Sequence, residues 1–272
     1  MFESIGTDAE VFVQDIETKA IESSIGLIEG TKLEPQATPN GFIQKDNVLA
    51  EFNSKVAYSR RNFIAHVNLA LMDLAGHLHK YGKTFAVLAS HQMDAKWLAP
   101  LEAQAFGCDP DFSVWHLDTF HQVNAGMADN LRTAAAHVHI GMQSVTPDNQ
   151  ISLVKLCDLF MGLPSLFADE DTVRRKLYGT AGSFRPKEYG IEYRVLSNFW
   201  LTKDYYMGRV YDAAKKACDH IGGSHESYVD EHAADIEKAI NNRDLVLAKK
   251  LLDGAGISPW PTLEALNLAG ED

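Results

Sequence analysis

Apolar and polar positions alternate with a period of two in four separate segments of the chain. Ala9 and Val11 flank Asp8 and Glu10, and Ala50 and Phe52 flank Glu51 and Asn53. Val138 and Ile140 flank His137 and His139, and Ile191 and Tyr193 flank Glu192 and Arg194. In an extended strand, residues i and i+2 point the same way. Each segment therefore predicts a strand with one apolar face and one face of ionisable side chains. Strands are expected at residues 4–14, several times within 21–54, and at 83–89, 112–118, 133–142 and 190–197, with turns at Gly30, Pro35, Pro39-Asn40-Gly41 and Asp46-Asn47. Phe63, Ile64, Val67, Leu71, Leu74 and Leu78 recur at helical spacing and predict a helix over 59–81, stopped at Gly82. A second helix is expected over 148–163, opened by Thr146-Pro147-Asp148 and stopped near Pro164. Residues 174–190, rich in glycine and arginine, read as a loop. From about 203 the pattern is helical, with breaks near Gly222-Gly223, Asn241-Asn242 and Gly254. No internal repeat or low-complexity tract interrupts this order.

Strands with interspersed helices, then a helical tail, predict an α+β fold. The expected architecture is a curved, mostly antiparallel sheet with helices on its convex face and the ionisable dyads on its concave face. Residues 1–202 form the expected catalytic domain, and 203–272 a helical C-terminal extension packed on the same domain.

Composition changes this picture little. The 272 residues are 46% hydrophobic and 23% charged, the make-up of an ordinary globular protein. A net charge of −12 argues against a broad nucleic-acid surface and against docking on anionic membranes, while leaving room for a small basic pocket. Cys108, Cys157 and Cys218 form no close pair, which fits reduced thiols. The N-terminus lacks a basic then apolar leader, and no apolar run is long enough to span a bilayer. The expected location is the cytoplasm.

The chemistry lies in the dyads. If the four strands share one face, Asp8, Glu10, Glu51 and Glu192 converge. Two carboxylates ~4 Å apart repel by roughly 4 kcal/mol at an effective dielectric of about 20. Such a cluster persists only when some members are protonated or when cations sit among them. Oxygen-rich sites suit Mg2+ or Mn2+, and an imidazole from His137 or His139 can join them. The stretch Arg174-Arg175-Lys176, Tyr178-Gly179, Gly182, Arg185-Pro186-Lys187 adds cations and glycines just before Glu192. Arginine forks bind phosphate oxygens, and glycines let a backbone approach them. Singly, each dyad is the ordinary pattern of a solvated sheet face or a cross-strand ion pair. Together they combine metal ligands with phosphate-binding cations, the requirement of phosphoryl transfer. His66, His77, His79 and His91 read as structural or exposed. His116 and His121 flank a candidate strand near the site.

These residues resemble the carboxylate–amine ligase (amidoligase) superfamily built on the glutamine synthetase catalytic fold. That superfamily has an acidic D/E-x-E first strand, a further metal-binding glutamate, an H-x-H strand and an E-x-R strand in this order. Here they correspond to Asp8-Ala-Glu10, Glu51-Phe-Asn53, His137-Val-His139 and Glu192-Tyr-Arg194. The run from Tyr178-Gly179 to Asn198-Phe199-Trp200 is most similar to bacteriophage-type COOH–NH2 ligases, type 2. The resemblance implies an ATP- and Mg2+-dependent ligase that joins a carboxylate to an amine through an acyl-phosphate. It implies that Glu10 and Glu51 hold one metal, and Asp8, His137 and Glu192 a second. It implies that His139 contacts nucleotide phosphate and that Arg194, Arg185 and, more weakly, Lys187 neutralise the phosphoryl group in transit. Asn53 would touch substrate or a metal-bound water. Asp8 is shorter than the usual glutamate. The implied partners are small-molecule or peptide carboxylates and amines, with no nucleic acid and no membrane; a homo-oligomer is compatible, and a phage-encoded chain would work in the host cytoplasm. Two rivals stand beside this: a zinc-dependent hydrolase using His137 and His139, and a non-catalytic phage-type binding or assembly protein on the same fold.

Overall fold

Strand β1 (Phe2–Asp15) is the axis of the fold. The computed structural model describes residues 2–104, 111–117, 120–121 and 130–270. The other strands are β2 (Ile21–Glu22), β3 (Gln36–Thr38), β4 (Gly41–Asp46), β5 (Leu49–Ser54), β6 (Lys83–Ala86), β7 (Ser90–Gln92), β8 (Asp111–Ser113), β9 (Phe120–His121), β10 (Leu131–Thr133), β11 (Ala136–Met142), β12 (Ser183–Lys187) and β13 (Gly190–Tyr193). The helices are α1 (Arg60–His79), α2 (Ala95–Leu98), α3 (Leu101–Gln104), α4 (Pro147–Cys157), α5 (Leu163–Ser165), α6 (Asp204–Asp219), α7 (Ser224–Glu231), α8 (Ala233–Asn242), α9 (Leu245–Gly254) and α10 (Leu263–Ala269).

Among the described residues, one antiparallel sheet runs β3-β4-β5-β1-β11-β13-β12-β8-β9 and stays open, while β2 and β6 pair with the far end of β1. The order of strands in space explains the order of dyads in sequence. Strand β1 lies between β5 and β11, and β11 lies against β13. Along β1 the odd positions Ile5, Ala9, Val11 and Val13 are buried. They join Phe52, Val138, Ile140, Ile191 and Tyr193 in one apolar core with the helices. Helix α1 starts at Ser59, whose Oγ accepts the Asn62 N–H at 3.2 Å. It buries Phe63, Val67, Ala70, Leu71, Leu74 and Leu78 as one stripe. Burying a side chain of this size contributes roughly 1.5–3 kcal/mol. From the tail, Tyr206, Val210, Ile236 and Leu252 enter the same core. A smaller core of Phe12, Val48, Leu49, Met93, Ala103 and Ala134 lies at the end of β1 beyond Glu10. No described helix is long and apolar enough to cross a membrane. Cys157 and Cys218 are buried and unbridged, and Cys108 lies outside the described residues.

Several elements differ from the sequence reading. Residues 174–190 are not simply a loop, because Ser183–Lys187 forms β12. Pro186 hid this strand, since it lacks a ladder donor. Pro186 pairs with Ile191 of β13, and the described part of β8 meets β12 at Ser183 and Phe184. The single strand expected over 133–142 is two: β10 pairs with β7, and β11 begins at Ala136. The strand expected over 112–118 is the shorter β8, and Asp118 lies outside the described residues. Pro164 does not stop the helix after α4. The chain widens into a π-helical turn over Asp158–Gly162, where the Leu163 N–H donates to the Asp158 carbonyl. That wider turn accommodates a ring that would clash with the carbonyl four residues back in a regular helix. The Pro164 carbonyl instead accepts the Trp260 N–H at 3.1 Å.

Gly190 opens β13 with φ +149°, and a Cβ there would lie 2.0 Å from the Ile140 carbonyl oxygen of β11. Gly190→Ala is expected to cost about 3 kcal/mol or more, because neither backbone can retreat within the sheet. Urea unfolding of the variant against the parent checks this, and an unchanged midpoint would contradict it.

Candidate active site

The even positions of β1 carry Asp8 and Glu10 onto the sheet face opposite the core. Register then sets their neighbours. Asp8 is opposite His137 on one side and Asn53 on the other, and Glu10 is opposite Glu51, itself opposite Gln44. His139 is opposite Glu192, and Glu192 opposite Arg185. Cross-strand partners have Cβ atoms only about 5 Å apart. The four dyads therefore meet on one surface.

Two groups form there. In the first, Asp8 Oδ1 lies 3.1 Å from both His137 Nδ1 and His139 Nε2. The atoms of Asp8, His139 and Glu192 can close on a single ion. Glu192 is 1% exposed and carries three cations: Arg194 in direct contact, Lys187 at 2.7 Å and Arg185 at 3.6 Å. His137 Nδ1 lies 3.7 Å from Glu192 and 3.2 Å from Arg194 Nη1. The Tyr189 hydroxyl, on the turn between β12 and β13, hydrogen-bonds with His139 Nδ1, leaving Nε2 for Asp8. In the second group, oxygens of Glu10, Asp46 and Glu51 lie within 4.8 Å of one another. Glu10 Oε2 accepts the Ala135 N–H at 2.8 Å.

The electrostatics divide accordingly. Burial raises the Glu192 carboxyl, but His137, Arg194 and Lys187 outweigh it and hold it at about 2. Burial also works against ionised Asp8, yet His137 and His139 keep it well below the usual range. In the other group nothing compensates enough. Burial, reinforced by Asp46, pushes Glu10 up to about 8. Burial, then Asp8, Glu10 and Asp46, pushes Glu51 well above its ordinary value. Burial and Arg194 hold His137 down in the neutral form, whereas Asp8 overcomes burial to raise His139. One group is thus a carboxylate collared by cations. The other is a carboxylate trio short of positive charge, and the donor set of each suits a hard divalent ion.

The structure brings together Asp8, Glu10, Glu51, His137, His139, Arg185, Lys187, Glu192 and Arg194, with Asn53 beside Asp8. It places Arg174 and Arg175 elsewhere. Arg174 donates to the carbonyls of Val195 at 2.9 Å and Arg194 at 3.2 Å, and Arg175 pairs with Asp169 at 3.1 Å. Both are buried braces behind the Glu192-x-Arg194 strand. The expectation that the glycines of this stretch open toward phosphate fails. A Cβ on Gly179 would lie 2.0 Å from Arg174 Nη1, and one on Gly182 would lie 2.7 Å from the Trp115 ring. Their space is taken by the protein itself. Asn198 and Trp200 support the site strands, donating to the carbonyls of Glu10 at 2.9 Å and Ala136 at 3.2 Å. His66, His77 and His79 lie within reach of backbone carbonyls, and His91 packs edge-on against Phe12. His116 pairs with Glu237 of α8, and the side chain of His121 lies outside the described residues. Sequence reasoning missed Asp46, taken as turn punctuation, although Gln44-x-Asp46 repeats the two-residue spacing of the other dyads. Tyr189 gave no signal, since only the β12–β13 turn brings it to His139.

Residues 123–235 match the family described as Phage phiEco32-like COOH.NH2 ligase-type 2. This agrees with the amidoligase resemblance of the dyads. The matched span holds His137, His139, Glu192 and Arg194, while Asp8, Glu10 and Glu51 lie before it and reach the same face through β1 and β5. No curated protein matches the chain. Among solved structures, glutamine synthetase from Plasmodium falciparum is similar at 11% identity over 78% of this chain, with a TM-score of 0.38. The chain spans about half that protein's length, covering 51% of it.

The raised carboxyl of Glu10 has a pH consequence for the metal-free protein. The folded state holds its proton up to about pH 8, whereas an unfolded glutamate releases it near 4.5. Stability contributed by the protonated form is therefore complete at low pH and is lost as pH rises from about 4.5 to 8, by about 5 kcal/mol. Glu10→Gln is expected to stabilise the chelator-treated protein at pH 8 and to make little difference at pH 5, as read by urea unfolding at both values. An equal effect at the two would contradict the assignment.

Proposed function

We propose that the chain is a carboxylate–amine ligase that uses ATP and a divalent metal, activating the acid as an acyl-phosphate and releasing phosphate when the amine attacks. The observation that carries this reading is the pairing of the two groups on one face: acidic ligand sets on Asp8–His139–Glu192 and Glu10–Asp46–Glu51, with Arg185, Lys187 and Arg194 gathered on Glu192. The family match over His137 to Arg194 supports it.

Glu10, Asp46 and Glu51 would hold one Mg2+ or Mn2+, and Asp8, His139 and Glu192, with His137 alongside, the other. Bound there, the ions would supply charge neutralisation for the nucleotide phosphates. The remaining roles belong to side chains. Three cations on one carboxylate leave a positive excess, so an anion entering beside Glu192 meets Arg194, Arg185 and Lys187 already in place. Such preorganised charge is worth most where water is excluded, and Arg194 is buried. With Nδ1 on Tyr189 and Nε2 facing Asp8, His139 would serve the ion it shares with Asp8 and Glu192 as a ligand rather than make the phosphate contact expected of it. Asn53, half-buried beside Asp8, is placed to orient the acid or the amine. The surplus of carboxylates and the cations around Glu192 favour this reading over a zinc hydrolase, which needs neither, and over a purely structural role.

Purified protein with ATP, Mg2+ and mixed amino acids or peptides is expected to release phosphate in an amine-dependent manner. Arg185→Ala is expected to lower kcat by about 100-fold or more while thermal unfolding stays close to the parent's. Absence of both phosphate release and ATP binding by calorimetry would overturn the proposal.

A further inference from the structure

The trio Glu10–Asp46–Glu51 already has a cation beside it, and that cation belongs to the chain. Lys32 Nζ lies 2.8 Å from Asp46 Oδ2. The contact is built by the loop before β3. The Lys45 N–H of β4 donates to the Gly30 carbonyl at 2.9 Å. A Cβ at Gly30 would meet the Ile43 carbonyl oxygen at 2.4 Å and the Gln36 nitrogen at 2.6 Å, so only glycine lets the loop lie directly on β4. The Thr31 N–H donates to the Glu34 carbonyl, and Thr31 Oγ1 accepts the Glu34 N–H, each at 3.1 Å. This turn directs Lys32 back over the end of β4. The ammonium is partly desolvated, which works against its charge, but Asp46, Glu51 and Glu10 together overcome that and favour the charged form. Half of the Lys32 side chain remains exposed, against 17% for Asp46.

We propose that Lys32 is a tethered cation that competes with divalent metal for the Glu10–Asp46–Glu51 site. This rests on reading that site as a metal site. With no metal, Lys32 supplies part of the positive charge the trio lacks. When a metal binds, Asp46 turns to it and Lys32 returns to water, which its exposure makes cheap. A divalent ion can engage all three carboxylates with two charges, whereas Nζ carries one charge and meets Asp46 at 2.8 Å. An intramolecular competitor does not abolish binding. It lowers apparent affinity in proportion to the fraction of time it occupies the site.

The test is Mn2+ titration of the nucleotide-free protein by calorimetry, with unbound Mn2+ read by electron paramagnetic resonance. The variants are Lys32→Met, Lys32→Arg, Asp46→Asn and the Lys32→Met/Asp46→Asn pair, each checked for folding by circular dichroism. Lys32→Met is expected to tighten one of two Mn2+ sites by about fivefold and leave the other unchanged. Lys32→Arg should stay near the parent. The gain should shrink toward nothing in the Asp46→Asn background, because the contact through which Lys32 competes is then gone. Two bound ions with affinities indifferent to Lys32→Met, or weakened by it, would overturn the tethered-cation proposal and leave the ligase reading standing. No Mn2+ binding to any folded variant would overturn the tethered-cation proposal together with the assignment of this trio as a metal site.

Discussion

Everything on the polar face follows from like charges that the backbone forbids to separate. Asp8, Glu10, Glu51 and Glu192 sit on neighbouring strands whose register is held by main-chain hydrogen bonds and by the apolar packing of Ala9, Val11, Phe52, Val138 and Ile191 on the other side. The packing energy is spread over the whole core, whereas the repulsion is confined to a few side chains. The carboxylates therefore cannot relax by moving apart. They answer by proton uptake, as at Glu10 and Glu51, or by gathering cations, as at Glu192. A face that must recruit positive charge to be comfortable is already a receptor for it.

The residues that hold this arrangement are largely out of reach of any substrate. Asp158, at the π-helical turn, accepts from the Tyr193 hydroxyl at 2.7 Å and from Trp115 Nε1 at 2.8 Å. Tyr193 lies between Glu192 and Arg194 in sequence but points to the opposite face, so its anchoring fixes the pitch of that strand. Burial raises the Asp158 carboxyl to about 7, and these two donors, with the Gly182 N–H and Arg175, keep it from rising further. Arg174 and Asn198 work in the same sense on the backbone of Arg194 and Glu10. The polar groups buried behind the sheet thus orient those displayed in front of it.

Legibility in the sequence followed physical range. The dyads, the α1 stripe and the breaks of the tail rest on spacing within one element, and period alone revealed them. The role of Asp46 needed the β4–β5 hairpin to be in register with β1, and that of Tyr189 needed a turn to bring it over His139. Gly179 and Gly182 misled for the same reason, since the groups that fill their space, Arg174 and Trp115, are known only once the chain is folded. Strand β12 was hidden by Pro186, whose place in the ladder shows only once β13 pairs with it. What spacing misses is therefore what depends on a second segment.

The hairpin β12–β13 has a particular consequence. Lys187 pairs with Gly190, so Glu188 and Tyr189 alone make the turn, and Arg185 and Lys187 reach Glu192 through that count. Because side chains alternate sides, adding or deleting one residue here would work like a reading-frame error in space: one arm would turn its charged groups into the apolar interior and its apolar groups into water. A turn of another length would serve only if it left Lys187 opposite Gly190.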